Sequence, residues 1–304
     1  MYHLGIDGGG TKTKSCIKDK NGHTLYMGVA GPSSIDTVTL DETLNAIIET
    51  YNDFIKTNKD IRFSSVCIGL GGIISKDDKF KVKTMAKKLP GVTTKTKIDI
   101  KNDMEIALGS GLLFDEGMVL ICGTGSVAFG KDIGGHQHKA GGWGYKEGDS
   151  GSSYDLGLKS LKHVIRALDG RDVKTLFTKA VMKHIHMKNP SDFIHILDEK
   201  YLDRTWIAGL APLVTKYALR HDINASHIVD EATNDLCDLI SAVYKKLDEK
   251  SYALVVVGSL GHAKGFKHVL NQKFNTRFPN IKVIQPVIEP CEAAAMIAIK
   301  NIQI

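Results

Sequence analysis

The sequence predicts an α/β fold made of two duplicated lobes, each a mixed sheet with flanking helices. An apolar strand, residues 2–6, runs into Asp7 and the glycines at 8–10, and a strand with period-two alternation follows. Shifted by 113 positions, this segment aligns without a gap on a second apolar strand, residues 118–122, with glycines at 123 and 125. A hairpin that occurs twice in one chain indicates two related lobes.

The first hairpin has the composition of a phosphate-binding turn. Three consecutive glycines remove every Cβ, so a bulky anion can approach the backbone N–H groups. The carboxylate of Asp7 would repel a bare phosphate, but it suits a phosphate that arrives with Mg²⁺, held directly or through water. A Walker loop and the dinucleotide fingerprint both open a helix, whereas a strand follows here. A glycine turn without a ligand is the alternative.

Composition narrows the function classes. A chain of 304 residues, 42% hydrophobic, can bury a large core and usually forms two lobes. The net charge of +6 is not gathered into a basic stripe, so we expect no nucleic-acid partner. The five cysteines form no Cys-x-x-Cys pair, the histidines form no metal signature, and no apolar run has membrane-spanning length. We expect a cytoplasmic protein with reduced thiols.

In the first lobe, residues 1–114, strands are predicted at 24–30, 64–70 and 94–100. Helices are predicted at 41–55, with Thr39 or Asp41 as its cap, at 77–89 and from 102 through Leu113. The acidic side chain of Asp103 follows the last of these strands, at the edge of an α/β sheet where active sites lie. An N-cap role is the alternative for this residue.

In the second lobe, residues 115–290, Ser152 is predicted to cap a helix over 153–168. Further helices are predicted at 173–187, 203–219 and 225–247, with a dimer face as one use of this block. The apolar run 253–257 predicts a buried parallel strand that opens at Gly258 into a helix through Phe274. A strand at 281–285 precedes a helix at 292–299, and the segment 291–304 is a candidate addition to the first lobe.

Eight segments occur in the order found in one known family: Asp7-Gly-Gly-Gly-Thr-Lys-Thr, Gly31-Pro-Ser, Gly69-Leu-Gly-Gly, Asn102-Asp, Gly123-Thr-Gly-Ser, Gly141-Gly-Trp-Gly, Gly148-Asp-Ser-Gly-Ser and Gly258-Ser-Leu-Gly. The chain resembles the BadF/BadG/BcrA/BcrD ATPase family, and within it the N-acetylglucosamine kinase-like members. The resemblance extends to actin, sugar kinases and heat-shock chaperone ATPases. It implies two ribonuclease H-like (actin-like ATPase) lobes with the nucleotide in the cleft between them.

The resemblance also implies roles for single residues. In the resembling kinases the position of Asp103 carries the base that accepts the proton of the attacking sugar hydroxyl. The loop after Gly31 often holds an Asn against the sugar, where this chain has Ser34. The glycines and the acid of the loop around Trp143 contact the sugar there, which points to Gly142 and Asp149. For Trp143 itself, a sugar platform and a core anchor are equal alternatives.

We therefore predict an ATP-dependent sugar kinase for N-acetylglucosamine or a related amino sugar, using ATP and Mg²⁺ and forming a homodimer. The expected ATP and phosphate ligands are Asp7, Gly8, Gly9, Gly10, Thr11, Lys12, Thr13, Gly123, Thr124, Gly125, Ser126, Gly258, Ser259 and Gly261, with Asp7 on Mg²⁺ through water. The expected sugar ligands are Ser34, Gly71, Asn102, Asp103, Gly142 and Asp149. The alternatives are an ATPase that activates a partner enzyme through an iron–sulfur cluster, and a non-catalytic sugar sensor.

Overall fold

The computed structural model describes residues 1–112, 116–146, 148–200, 203–247 and 252–303. The chain divides into two compact units, which we call unit 1 (Met1–Asp115 with Pro286–Ile304) and unit 2 (Glu116–Gln285). None of the described helices is both long enough and apolar enough to span a bilayer.

The strands, in chain order, are β1 (Tyr2–Gly8), β2 (Thr13–Asp19), β3 (Thr24–Ala30), β4 (Phe63–Leu70), β5 (Lys97–Asn102), β6 (Gly117–Cys122), β7 (Ser126–Lys131), β8 (Gln137–Gly141), β9 (Tyr252–Val257) and β10 (Ile281–Ile284). The helices are α1 (Leu40–Thr57), α2 (Lys76–Ala86), α3 (Asp103–Leu112), α4 (Ser153–Leu168), α5 (Leu176–His184), α6 (Asp192–Lys200), α7 (Arg204–Ala208), α8 (Ala211–Ala218), α9 (Ile223–Lys246), α10 (Ser259–His262), α11 (Lys264–Arg277) and α12 (Pro290–Gln303).

Unit 1 is a mixed sheet with helices packed against it. The strand order is β3-β2-β1-β4-β5, in which the first three strands are antiparallel and β4 and β5 run parallel to β1. Helix α1 begins where Thr39 and Glu42 form a capping box, which selects Thr39 over Asp41 as the cap. Its buried face carries Ile47 and Tyr51 onto the sheet.

Helix α12 lies directly against β1. A Cβ at Gly5 would overlap the backbone of Cys291 and Ala295, so only glycine permits this close approach. Buried alanines, including Ala294 and Ala298, keep the helix near the sheet. The C-terminal segment therefore belongs to the core of unit 1.

Unit 2 repeats the same strand order as β8-β7-β6-β9-β10, again with an antiparallel meander and two parallel strands. The mixed sheets with flanking helices agree with the predicted fold class. Helices α4 to α9 and α11 pack with the sheet into one large apolar core. The predicted cap at Ser152 is present, and its hydroxyl accepts from the Asp155 N–H.

Several predicted boundaries were wrong. The single helix expected over 203–219 is two helices, α7 and α8, because the chain turns at Gly209 and Leu210 and restarts with Pro212 in the first turn of α8. The strand expected from residue 94 begins at Lys97, since Thr93 and Thr96 form a turn there. The predicted end of a helix at Leu113 lies outside the described residues.

Candidate active site

The first glycine hairpin closes around a four-residue loop. Gly8 pairs with Thr13, and the Gly9 N–H donates to the Lys12 carbonyl at 3.0 Å. A Cβ at Gly8 would overlap Ser33 and Leu70, whereas a Cβ at Gly9 would meet only the Lys12 carbonyl, at 3.7 Å. Packing therefore requires glycine at position 8. At position 9 space remains beside the backbone.

Two further loops of unit 1 are fastened to this hairpin. The N–H groups of Ser33 and Ser34 donate to the Gly9 carbonyl at 3.1 and 3.2 Å. The Gly71 N–H donates to the Gly8 carbonyl at 2.9 Å, and Gly71 in turn accepts from Ile35. These hydrogen bonds join three segments, which lie up to 63 positions apart in the sequence, into one continuous edge of unit 1.

Thr13 supports this edge from within. Its side chain is fully buried, and its hydroxyl lies 2.6 Å from the Gly31 carbonyl and 2.7 Å from the Ser33 hydroxyl. The expected place of Thr13 beside a phosphate does not match this arrangement, because its hydroxyl faces the protein interior. Gly10, Thr11 and Lys12 form the exposed part of the loop.

The predicted sugar residues of unit 1 meet beside Gly71. A Cβ at this position would overlap the Ser34 hydroxyl and would lie 3.4 Å from the Asp103 carboxylate. The Ser34 hydroxyl donates a short hydrogen bond to the carboxylate of Asp36. The glycine thus leaves room for a hydroxyl and a carboxylate to share one small region.

The side chain of Asn102 makes two hydrogen bonds to the backbone at the start of α3. Its amide N–H donates to the Ile73 carbonyl at 2.8 Å, and its side-chain oxygen accepts from the Met104 N–H at 2.9 Å. Asp103 also accepts from the Met104 N–H and stays half-buried in the first turn of α3. Asn102 therefore ties the segment after Gly71 to the helix that carries Asp103.

The carboxyl group of Asp7 is strongly perturbed. Burial, followed by the nearby charge of Asp103, raises the pKa of Asp7 to about 7, although Lys14 and Lys12 oppose the rise. Lys14 faces Asp7 across the β1–β2 ladder and pairs with Glu289 at 2.7 Å. Sequence reasoning missed Lys14, although its register opposite Asp7 follows from the hairpin itself.

These residues suit a magnesium ion that arrives with its phosphates. Mg²⁺ usually keeps several waters and binds one or two carboxylates plus substrate oxygens. Asp7 and the nearby Asp103 supply oxygen ligands of that kind. Within the described ranges, no group of three or more His, Cys, Asp or Glu side chains could enclose a metal by itself.

The second hairpin closes around a loop of three residues. Cys122 pairs with Ser126, and the Gly123 N–H donates to the Gly125 carbonyl at 3.0 Å. The carbonyls of Gly123 and Thr124 accept from the first N–H groups of α4, those of Ser153 and Tyr154. The hairpin tip therefore lies at the N-terminus of that helix.

Ser126 holds the glycine-rich loop that follows β8. Its side chain is buried, and its hydroxyl donates to the Ser150 carbonyl at 2.7 Å. Because the Ser126 hydroxyl is buried and occupied by this bond, its arrangement does not match the expected contact with a phosphate, as was also found for Thr13. Gly123, Thr124 and Gly125 remain partly exposed.

The segment after β9 reaches the same hairpin. Gly258 has a φ of 99° and approaches β6 so closely that a Cβ would overlap the Cys122 carbonyl. Ser259 is exposed, whereas Gly261 is buried and a Cβ there would lie 2.8 Å from Val256. Gly258 thus lies against the hairpin and Gly261 packs on β9, while Ser259 between them is exposed.

Trp143 lies on the surface of the glycine-rich loop. Its side chain is 75% exposed, and the Lys139 ammonium stands 4.7 Å from the ring centroid. The core-anchor interpretation of Trp143 was therefore wrong. The adjacent Gly142, with a φ of 65°, is also exposed.

Asp149 is buried at the tip of the second hairpin and is paired with an arginine. Its carboxylate accepts from the Arg204 guanidinium at 3.0 Å. A Cβ at Gly125 would lie 2.6 Å from the Asp149 carboxylate and 2.9 Å from Arg204. Sequence reasoning missed Arg204, because nothing in the sequence connects two residues 55 positions apart.

Comparison with known proteins agrees with the expected family. The sequence model of the BadF/BadG/BcrA/BcrD ATPase family matches residues 4–298. A Dictyostelium discoideum N-acetyl-D-glucosamine kinase is 32% identical, and a Clostridium acetobutylicum N-acetylmuramic acid/N-acetylglucosamine kinase is 30% identical, each with 98% of both chains covered. A Vibrio cholerae glucosamine kinase is 25% identical over 85% of both chains.

Solved structures share the fold. A protein from Chromobacterium violaceum, assigned as an N-acetylglucosamine kinase, superposes with a TM-score of 0.80 at 23% identity, over 98% of both chains. A ROK family glucokinase from Streptomyces griseus, solved with glucose and AMPPNP, has a TM-score of 0.59 at 14% identity, also over 98% of both chains. The predicted fold class, two mixed sheets of the sugar kinase and actin-like ATPase type, is confirmed.

Proposed function

The chain belongs to the BadF/BadG/BcrA/BcrD ATPase family, and we propose which of its residues carry out each step of phosphoryl transfer. Its activity is that of an ATP-dependent amino-sugar kinase. Asp103 is the general base. One observation carries this assignment: the Asp103 carboxylate stands beside Gly71, whose N–H is bonded to Gly8 of the glycine hairpin. A proton acceptor and a phosphate-type turn therefore occupy one edge of unit 1.

In the proposed reaction, the sugar hydroxyl gives its proton to Asp103 and its oxygen forms a bond to the γ-phosphorus of ATP. The bond from that phosphorus to the bridging oxygen breaks, and the electron pair leaves with ADP. Phosphoryl transfer depends mainly on positioning and charge neutralisation, so one carboxylate beside the nucleophile is sufficient.

The phosphates of ATP are assigned to the exposed backbone of both hairpin loops, residues 9–12 in unit 1 and 123–125 in unit 2. Space beside Gly9 and Gly123 supports this, since a Cβ at either would have no neighbour nearer than 3.7 Å. Asp7 would hold Mg²⁺, through water, and the ion would neutralise charge on the phosphates. Gly258 and Ser259 are assigned to the nucleoside side.

The acceptor is proposed to be N-acetylglucosamine or a related amino sugar. The named activities of the relatives support this class. Ser34 and Asp103 in unit 1, and Gly142 and Asp149 in unit 2, are the proposed sugar contacts. Because Trp143 is exposed next to Gly142, its ring is available for a sugar face.

We further propose that the protein acts in the cytoplasm as a homodimer. Five free, buried cysteines support a reducing compartment. The helical part of unit 2 is the proposed dimer interface. Light scattering of the purified chain at two concentrations tests it, and a monomer at both would contradict it.

The function is tested by ADP release with a panel of acceptors: N-acetylglucosamine, glucosamine, glucose, N-acetylmannosamine and muramic-type sugars. We expect turnover with at least one amino sugar. The Asp103→Asn variant should lose about 100-fold or more in kcat, the scale of a positioned general base. Unchanged turnover in that variant would remove Asp103 from the mechanism.

Asp99→Asn is the matched control. Asp99 lies on β5 four positions before Asp103 and binds Asn301 and Lys101 rather than the hairpin edge. Its loss should leave kcat within about twofold, because surface substitutions away from special features have small effects. An equal loss in both variants would indicate damage to β5 and not removal of a base.

A further inference from the structure

We infer that Arg204 is a positioning residue for sugar recognition, which rests on the proposed function of Asp149 as a sugar ligand. Arg204 is the first residue of α7, in the helical part of unit 2. Its guanidinium crosses to the glycine-rich loop and donates to the Asp149 carboxylate at 3.0 Å. The pair joins the helical block to the edge of the sheet where the second hairpin ends.

The guanidinium is held from three sides. Its central carbon lies 5.2 Å from the centroid of the Tyr145 ring, and Tyr145 packs edge-on against Tyr154 with centroids 5.0 Å apart. On a third side is Gly125, where any larger residue would press on the Arg204 nitrogen. The Asp149 carboxylate, the Tyr145 ring and Gly125 therefore restrict the position of the guanidinium.

The backbone that carries Arg204 is closely packed as well. A Cβ at Gly157 in α4 would overlap the Ile207 carbonyl in α7, so the two helices touch through backbone. Ile207 is fully buried, and the Asp203 carboxylate caps α7 at the Trp206 N–H. An arginine that is held by a closely packed backbone can fix the position of the carboxylate to which it donates.

The Nε atom of Arg204 indicates that this residue does not serve stability alone. Its Nε is buried and has no hydrogen-bond partner among the described residues. A buried donor without a partner is costly, and such a group in a native protein calls for an explanation. The guanidinium satisfies Asp149 and stacks on Tyr145 at the expense of its own Nε.

Asp149 needs this partner because its side chain is only about 5% exposed. A buried carboxylate without a counter-charge is strongly disfavoured, and a guanidinium supplies both charge and a directional hydrogen bond. With one oxygen bound by Arg204, the carboxylate plane is set before any sugar arrives. A sugar that donates hydroxyls to Asp149 would then meet a preorganised acceptor.

The inference predicts a change in sugar affinity with little change in ATP affinity. A double-mutant cycle of Arg204→Met, Asp149→Asn and the double variant measures it, with the KM of each substrate taken separately. Arg204→Met should raise the sugar KM about 10- to 100-fold, the equivalent of one lost charged hydrogen bond, and change the ATP KM by less than about threefold. In the Asp149→Asn background, the same change should add less than about twofold.

Two further variants separate positioning from general stability. Arg204→Lys keeps the charge but loses the fork, so its sugar KM should fall between those of the wild type and Arg204→Met. Arg171→Met removes an arginine whose pair with Asp169 is exposed, and it should leave both KM values unchanged. If Arg204→Met fails to fold, as circular dichroism would show, Arg204→Lys and the Asp149→Asn background carry the test.

The inference is overturned if the wild type phosphorylates a sugar and Arg204→Met has an unchanged sugar KM. It is equally overturned if the effects of Arg204 and Asp149 add independently, or if the ATP KM rises as much as the sugar KM. A wild type inactive with every sugar would overturn the proposed function itself, and with it this role of Arg204.

Discussion

The two hairpins share their scaffold and differ at their chemical ends. At the end opposite the two glycine loops, residues 9–12 and 123–125, the turns after β2 and β7 match closely. Asp19 accepts from the His23 N–H at 2.9 Å, and Asp132 accepts from the His136 N–H at 2.8 Å. The glycine in each turn has a similar φ, 86° at Gly22 and 83° at position 135.

The glycine ends have diverged. The first loop has four residues between its paired strand ends and the second has three, so the gap-free alignment of the sequence does not hold in three dimensions. Asp7 in unit 1 lies opposite Lys14 with Asp103 nearby, whereas the buried acid at the second loop, Asp149, binds Arg204. The duplicated turns keep the same geometry where they only join strands, and they differ at the ends to which substrate contacts are proposed.

The largest expected effect within this comparison comes from adding a methyl group at each loop. Gly9→Ala and Gly123→Ala should fold normally, because a Cβ has at least 3.7 Å of space at both positions. Each should raise the ATP KM about 10- to 100-fold, since a blocked approach loses a hydrogen bond to a charged phosphate. Initial rates at varied ATP measure this.

Gly31→Ala is the control for these two variants, because a Cβ there has open space outside the proposed phosphate loops. Its ATP KM should stay within about twofold of the wild type. An effect in only one of the two loop variants would show that a single hairpin binds the phosphates.

The buried hydroxyls at the start of the second strand of each hairpin provide the next test. Thr13→Val and Ser126→Ala each remove a buried hydroxyl that donates to the carbonyl of an exposed residue, Gly31 or Ser150, and each should cost about 0.5–1.5 kcal/mol of unfolding free energy, the net value of one hydrogen bond. Urea denaturation measures this. Thr84→Val removes a similar bond from an exposed helix position and should cost less than about 0.5 kcal/mol. Equal losses at all three positions would contradict the supporting role of the buried pair.

Asp7 should give the apoprotein a pH-dependent stability. Because the pKa of Asp7 is about 7 when folded and lower when unfolded, the folded chain binds more protons between about pH 4 and 7. The wild type should therefore lose unfolding free energy relative to Asp7→Asn as pH rises to 7, and the difference should level off by about pH 8. Urea unfolding in chelator at pH 5–8 measures this difference. A constant difference would contradict the shift.

The smallest effect is expected at the matching turns. Asp19→Ala and Asp132→Ala each remove a carboxylate that accepts a backbone N–H at the surface. Both should lower the midpoint of urea unfolding only slightly, and by nearly equal amounts, because a hydrogen bond at a solvated site contributes little to stability. Thermal or urea unfolding of the two variants side by side is sufficient. A clear loss of stability in one variant and none in the other would show that the two turns are not energetically equivalent.

The sequence by itself determined the parts of the protein that depend on local pattern. Period-two alternation and glycines located both hairpins, the cap at Ser152 was visible in the chain, and the apolar run before Gly258 was a parallel strand. The turn at Gly209 was missed because the apolar spacing of α7 and α8 continues across it. Local signals reach only a few residues along the chain.

Tertiary structure alone decided which side chains meet. Gly71 stands between Ser34 and Asp103, and Arg204 reaches Asp149, although tens of residues separate each pair in the sequence. It also turned the Thr13 hydroxyl inward, although this residue had been expected to face a phosphate. The physical reason is that hydrogen-bond and charge partners are chosen by packing in space, and no spacing rule in a single sequence records that choice.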